Sequence, residues 1–89
     1  MTAQVQLNYR TNEDRFRAEF KRGNKVMDFK YLTRSEWEAL DEFYYLPMAE
    51  GENLTIPAGS LYDCIVEQYV PMEMDSNFFQ MLNSLLGYK

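Results

Sequence analysis

The chain has 89 residues, is 46% apolar and 16% aromatic, and carries a net charge of −5 with only four Gly and three Pro. That is enough apolar material for one domain around a single core, and it excludes a compositionally disordered chain. The acidic balance also argues against non-specific binding to duplex nucleic acid, where phosphates need clustered cations.

The charge is unevenly spread. Residues 1–34 hold eight Lys or Arg against four Asp or Glu, a net of +4. Residues 35–89 hold ten acids against Lys89 alone, a net of −9. The lone cysteine, Cys64, and the absence of an N-terminal apolar run lead us to expect a reduced, cytoplasmic protein without a secretion signal. No stretch approaches the length of apolar sequence that crosses a bilayer, so no membrane partner is expected.

Residues 3–9, AQVQLNY, alternate, with Val5, Leu7 and Tyr9 on one face. RTNED supplies a turn. Residues 15–21 alternate again, with Phe16, Ala18 and Phe20 inward, and RGN marks a second turn. Continued alternation over 25–31 predicts Met27, Phe29 and Tyr31 inward. Three alternating strands joined by two short turns make an antiparallel meander over 1–31.

Thr33 then stands three residues before Glu36, a capping box, with Leu32 and Trp37 placed as a hydrophobic staple. A helix follows over 33–46, limited by Pro47. Trp37, Leu40 and Tyr44 face the sheet, and Glu38, Asp41 and Glu42 lie opposite. Residues 46–59 read as a long loop holding a short strand at 53–56.

From Ser60 to Pro71 the pattern gives a second helix, apolar on two sides and expected between layers, although an extended segment over 61–70 fits as well. Asp75 or Ser76 caps a third helix that stops at Gly87, so the helical C-terminal part spans 60–87. The fold class expected is α+β, a single domain over 1–89: a three-stranded antiparallel β-meander followed by about three α-helices packed on one face.

Catalytic chemistry is sparsely represented. There is no His, the commonest general base and metal ligand, and Cys64 sits in an apolar helical run. Asp63 and Glu67 at i, i+4 read better as a solvated helix face than as a cation site. No cofactor, no metal and no enzymatic activity are expected. The outer sheet face carries Arg15, Arg17 and Lys21. With Phe16, Phe20 and Phe29 all turned inward, however, it lacks stacking platforms for single-stranded nucleic acid, and no direct nucleic-acid contact is expected.

The acidic half is the informative feature. Ordinary surfaces mix both signs, whereas a one-signed face steers a protein to an oppositely charged partner. A small, acidic single domain rich in Tyr and Met, without a catalytic motif, resembles accessory proteins encoded by bacteriophages. Within that group it resembles anti-CRISPR and other anti-defence inhibitors that present acidic faces to basic, nucleic-acid-binding surfaces. That resemblance implies docking through Glu36, Glu38, Asp41, Glu42, Glu50 and Glu52, with Tyr45 and Met48 as anchors, on a basic surface of a host or defence complex. LTRSEWEAL (32–40) and IPAGSLYDCIV (56–66) are also similar to patterns in phage tail or neck assembly proteins. That alternative implies action through homo-oligomers or virion-protein contacts.

Overall fold

The computed structural model describes residues 2–10, 14–46 and 51–88. Its elements run β1 (Ala3–Arg10), β2 (Arg15–Arg22), β3 (Lys25–Tyr31), α1 (Arg34–Phe43), β4 (Asn53–Pro57), α2 (Ala58–Val66) and α3 (Asn77–Leu86). The fold is α+β, but the sheet has four antiparallel strands rather than three, in the order β3-β2-β1-β4. The short run at 53–57 returns to pair with β1, setting Ile56 opposite Val5 and Leu54 opposite Leu7. Pairing thus satisfies the backbone groups of β1 on both sides and adds Ile56 to the core.

Alternation is obeyed in β1 and β2, whose Val5, Leu7, Phe16, Ala18 and Phe20 form the buried sheet surface. It fails in β3. Arg22 pairs with Lys25 and Lys21 with Val26, but Phe20 pairs with Asp28, so one extra residue is accommodated at Met27. This β-bulge shifts the register by one, and a one-residue shift sends every later side chain to the other face. Phe29 now pairs across from Glu19 and Tyr31 from Arg17, both on the outer face, while Lys30 pairs with Ala18 on the inner one. The inward placement expected for Phe29 and Tyr31 is therefore corrected, whereas Met27, ahead of the shift, stays on the inner side and lines a hollow with Phe20, Met81 and Leu85. Met27 and Phe29 are about half exposed, and Tyr31 packs beneath the Arg15 guanidinium, 3.7 Å from its ring centre.

The helices cover the inner face. α2 lies over β1 and β4, and α3 over β2 and β3. Trp37 of α1 meets Phe16 edge-on with ring centres 5.0 Å apart, and Phe20 meets Phe78 at 5.2 Å. Leu40, Leu61, Ile65, Leu82 and Leu85 fill the layer between. Burying a side chain of this size contributes roughly 1.5–3 kcal/mol. The Arg22 guanidinium donates to the Leu85 carbonyl, a cation placed where α3 presents its negative end.

α1 stops at Phe43, with Tyr44 already extended, three residues short of the expected end. α2 is a helix, which settles the ambiguity over 61–70. It begins at Ala58 rather than beyond Ser60, with Pro57 before it. Only one of its sides is buried: Leu61 and Ile65 are covered, but Val66 is exposed.

α2 and α3 end with the same hydrogen-bond motif. The Gln68 amide donates to the Ile65 carbonyl at 3.1 Å, and the Tyr69 amide to Cys64 at 2.9 Å. At the end of α3 the Gly87 amide donates to Ser84 and the Tyr88 amide to Asn83. Both motifs need a left-handed residue, and the angles agree, with φ of +67° at Gln68 and +77° at Gly87. Gly takes this conformation freely, and Gln does so at a cost. Gln68 stands where Gly is usual and so hides the stop, and the helix pattern in the sequence therefore runs on to Pro71.

Gly87→Ala should lower stability by about 1 kcal/mol through backbone strain alone, since a Cβ there meets nothing within 4 Å. Gln68→Gly should raise it by up to about 1 kcal/mol. Urea unfolding of the two variants beside the parent checks both signs.

Candidate functional site

The acids expected to dock divide sharply. Glu36 is 4% exposed and is the buried charged side chain among the described residues. Its carboxylate accepts from Lys30 Nζ at 2.7 and 2.9 Å, the Thr33 amide at 3.0 Å, Ser76 Oγ at 3.1 Å and the Phe78 amide at 3.1 Å. The capping box of α1 is thus complete, with the Glu36 amide donating to Thr33 Oγ1. The same carboxylate sits at the positive end of α3, where Ser76 Oγ also accepts from the Phe79 amide. Glu36 is structural and inaccessible, and the docking role expected of it is corrected.

Burial pushes the Glu36 carboxyl up, but the Lys30 ammonium with the Thr33 and Phe78 amides holds it below its ordinary value of 4.5. A surface hollow beside it is lined by Thr33, Ser35, Glu73, Asp75 and Asn77. Glu36, the acid there whose pKa is shifted, already spends both oxygens on structure. Among the described residues, no group of three metal-ligating side chains is found.

Glu38, Asp41 and Glu42 remain exposed, spaced three and four apart on one flank of α1. No ion pair engages them among the described residues. Their position is unfavourable for the helix itself. The last turn of α1 carries no basic residue and ends in Asp41 and Glu42, so two carboxylates sit at the negative end of the dipole. Solubility and helix-start stabilisation do not explain that placement. Glu52 is exposed before β4, and Met48 and Glu50 lie outside the described residues.

The aromatic part of the site was only partly legible. Tyr45 is 97% exposed just past α1. Phe43 and Tyr69, about half exposed, pack together at 6.0 Å between ring centres, and Phe43 also meets Tyr44 edge-on at 4.9 Å. The left-handed turn at Gln68 swings Tyr69 out of the helix line and against α1. The signal for it, a non-Gly left-handed residue, is not visible in sequence. Tyr44 is half-buried, and burial together with the Cys64 thiol raises its hydroxyl pKa. Tyr44 thus supports Phe43 from beneath as a neutral group. The result is an exposed aromatic pair at the C-terminal end of α1, with Glu38, Asp41 and Glu42 exposed on the same helix and Glu67 exposed just past α2.

Lys30→Met should cost about 3 kcal/mol, because it leaves a buried carboxylate without its cation, whereas Lys25→Met on the exposed turn should cost under about 0.5 kcal/mol. Because folding lowers the Glu36 pKa, its contribution to stability is fully present above pH 4.5 and is lost as pH falls through the lower folded value. Acid unfolding followed by circular dichroism should show this limb in the parent and a weakened one in Lys30→Met.

Comparison with known proteins gives no relative on which to rest a role: no family model, no curated protein and no solved structure matches the chain.

Proposed function

We propose that this chain is a non-enzymatic protein-binding module that docks the outer flank of α1 on a basic protein surface. The observation that supports the reading best is the juxtaposition at the C-terminal end of α1. Three exposed carboxylates lie on the helix that ends in Phe43, one of the exposed ring pair Phe43 and Tyr69, and two of them lie where the helix dipole opposes them. Residues placed against local stability are those whose use lies elsewhere. Acids of one sign steer the encounter, while partly exposed rings held by their neighbours supply anchors with little entropy left to lose. Following the likeness to phage anti-defence proteins, the partner we favour is the nucleic-acid-binding surface of a host defence complex. Glu38, Asp41, Glu42 and Glu52 then meet its cations, and Phe43, Tyr45 and Tyr69 fill its pockets.

Tagged protein incubated with bacterial lysate at low and moderate salt should retain a nucleic-acid-binding complex in a salt-sensitive manner. The Glu38→Lys, Asp41→Lys, Glu42→Lys triple variant should lose that capture while keeping the parent circular dichroism spectrum. Phe43→Ala should weaken it at least about tenfold. Undiminished capture by the folded triple variant would remove this flank from the function.

A further inference from the structure

Among the described residues no element covers the outer face of the sheet, and the bulge at Met27 changes what that face offers. The strand register arranges its side chains in rows. One row is Tyr31, Arg17, Asn8 and Asn53; the next is Phe29, Glu19, Gln6 and Thr55; the third is Val26, Lys21, Gln4 and Pro57. Arg15 and Arg10 pair at the end of the same face. Guanidinium planes lie against both rings, Arg15 at 3.7 Å from the Tyr31 centre and Arg17 at 4.1 Å from that of Phe29. Lys21 Nζ donates to Gln6 Oε1 at 3.4 Å, and Arg17 faces Glu19, the single acid of the rows, at 3.5 Å.

We infer that this face is a binding surface for single-stranded nucleic acid. The charge belongs to the face rather than to the chain. The acids of the helices lie on elements that cover the opposite, inner face, and exposed charges farther apart than a Debye length of about 8 Å at physiological salt are largely screened. Among the described residues whose register places them on this face, Arg10, Arg15, Arg17 and Lys21 accompany one acid, Glu19. Such a surface can track a phosphate backbone, and rings with stacked guanidinium planes give sequence-tolerant platforms for unpaired bases. Between them lie amides, Gln4, Gln6, Asn8 and Asn53, which can donate to and accept from base edges. The centre of a protein–protein patch would instead be apolar, and here the apolar contribution of the rows is the two rings with Val26 and Pro57 at the rim. A duplex hides its base faces and leaves the rings unused, so single strands are preferred.

The test is fluorescence anisotropy with labelled oligothymidylate and oligouridylate of about twelve nucleotides, a duplex of equal length, and polyglutamate as competitor. With about three phosphates engaged, the slope of log K on log salt should be near −2, so binding should weaken roughly tenfold to twentyfold between about 50 and 200 mM salt. Phe29→Ala/Tyr31→Ala should weaken binding at least about tenfold. Arg17→Gln/Lys21→Gln, which keeps the rings, should flatten the salt slope by about 1 to 2. The Glu38→Lys, Asp41→Lys, Glu42→Lys variant should bind the oligonucleotides at least as well as the parent, separating this surface from the helix flank. Absence of binding at roughly 100 µM protein overturns the inference, as does equal affinity for duplex or displacement by polyglutamate at matched charge. A concentration-dependent dimer in sedimentation, dissolved by the triple helix variant and present without oligonucleotide binding, also overturns it and gives the face to the acidic helix of a second copy.

Discussion

One carboxylate holds three elements of this fold in place. Glu36 closes the capping box of α1, neutralises Lys30 of β3 and receives two donors from the start of α3. A buried charge is tolerable only when its lone pairs are met, and here each oxygen has charged and neutral donors. The arrangement also depends on the bulge, because only the shifted register turns Lys30 towards the helices. Capping, sheet register and helix docking are therefore a single structural event. An α3 packed differently would strand Glu36, and a β3 in continuous register would remove its cation.

The same shift explains how the molecule keeps its charges apart. Lys30 enters the helix–sheet boundary, and Arg22 ends α3, so two of the cations of the first half are used internally. Arg34 lies over Trp37 on α1, while Arg10, Arg15, Arg17 and Lys21 share the outer sheet face with Phe29 and Tyr31. The helices bring the acidic half to the other side. The chain thus presents two chemically distinct surfaces on opposite sides of one core.

Much of this was readable in the residues. The capping box, the alternation of β1 and β2, the Gly87 stop and the α+β class follow from local rules and are found as expected. The errors have common physical origins. A bulge adds one residue without changing composition, so the alternation over 25–31 looked unbroken and placed Phe29 and Tyr31 inside. Gln68 adopts a backbone state normally reserved for Gly, so the end of α2 and the exposure of Tyr69 were hidden. Glu36 reads in the sequence both as a cap and as a docking acid. Its second use, across 42 residues to Phe78, depends on tertiary contact that no local pattern encodes. The fourth strand was visible as a short apolar run, but its partner was not.

The bulge has one more consequence, at the sheet edge. β3 is a terminal strand, and its exposed residues include Val26, Met27 and Phe29, a combination of β-formers that invites pairing with another chain. A continuous β3 would offer a flat row of amides and carbonyls as a template for edge-to-edge growth. The extra residue at Met27 breaks that row and twists it, with Lys25, Asp28 and Lys30 interspersed along the strand. At the opposite edge, β4 is only five residues long and ends in Pro57, which has no amide to donate. The device that sets the register of the core is also a defence against fibril formation, and an engineer who smoothed β3 into ideal alternation would be building an aggregation seed.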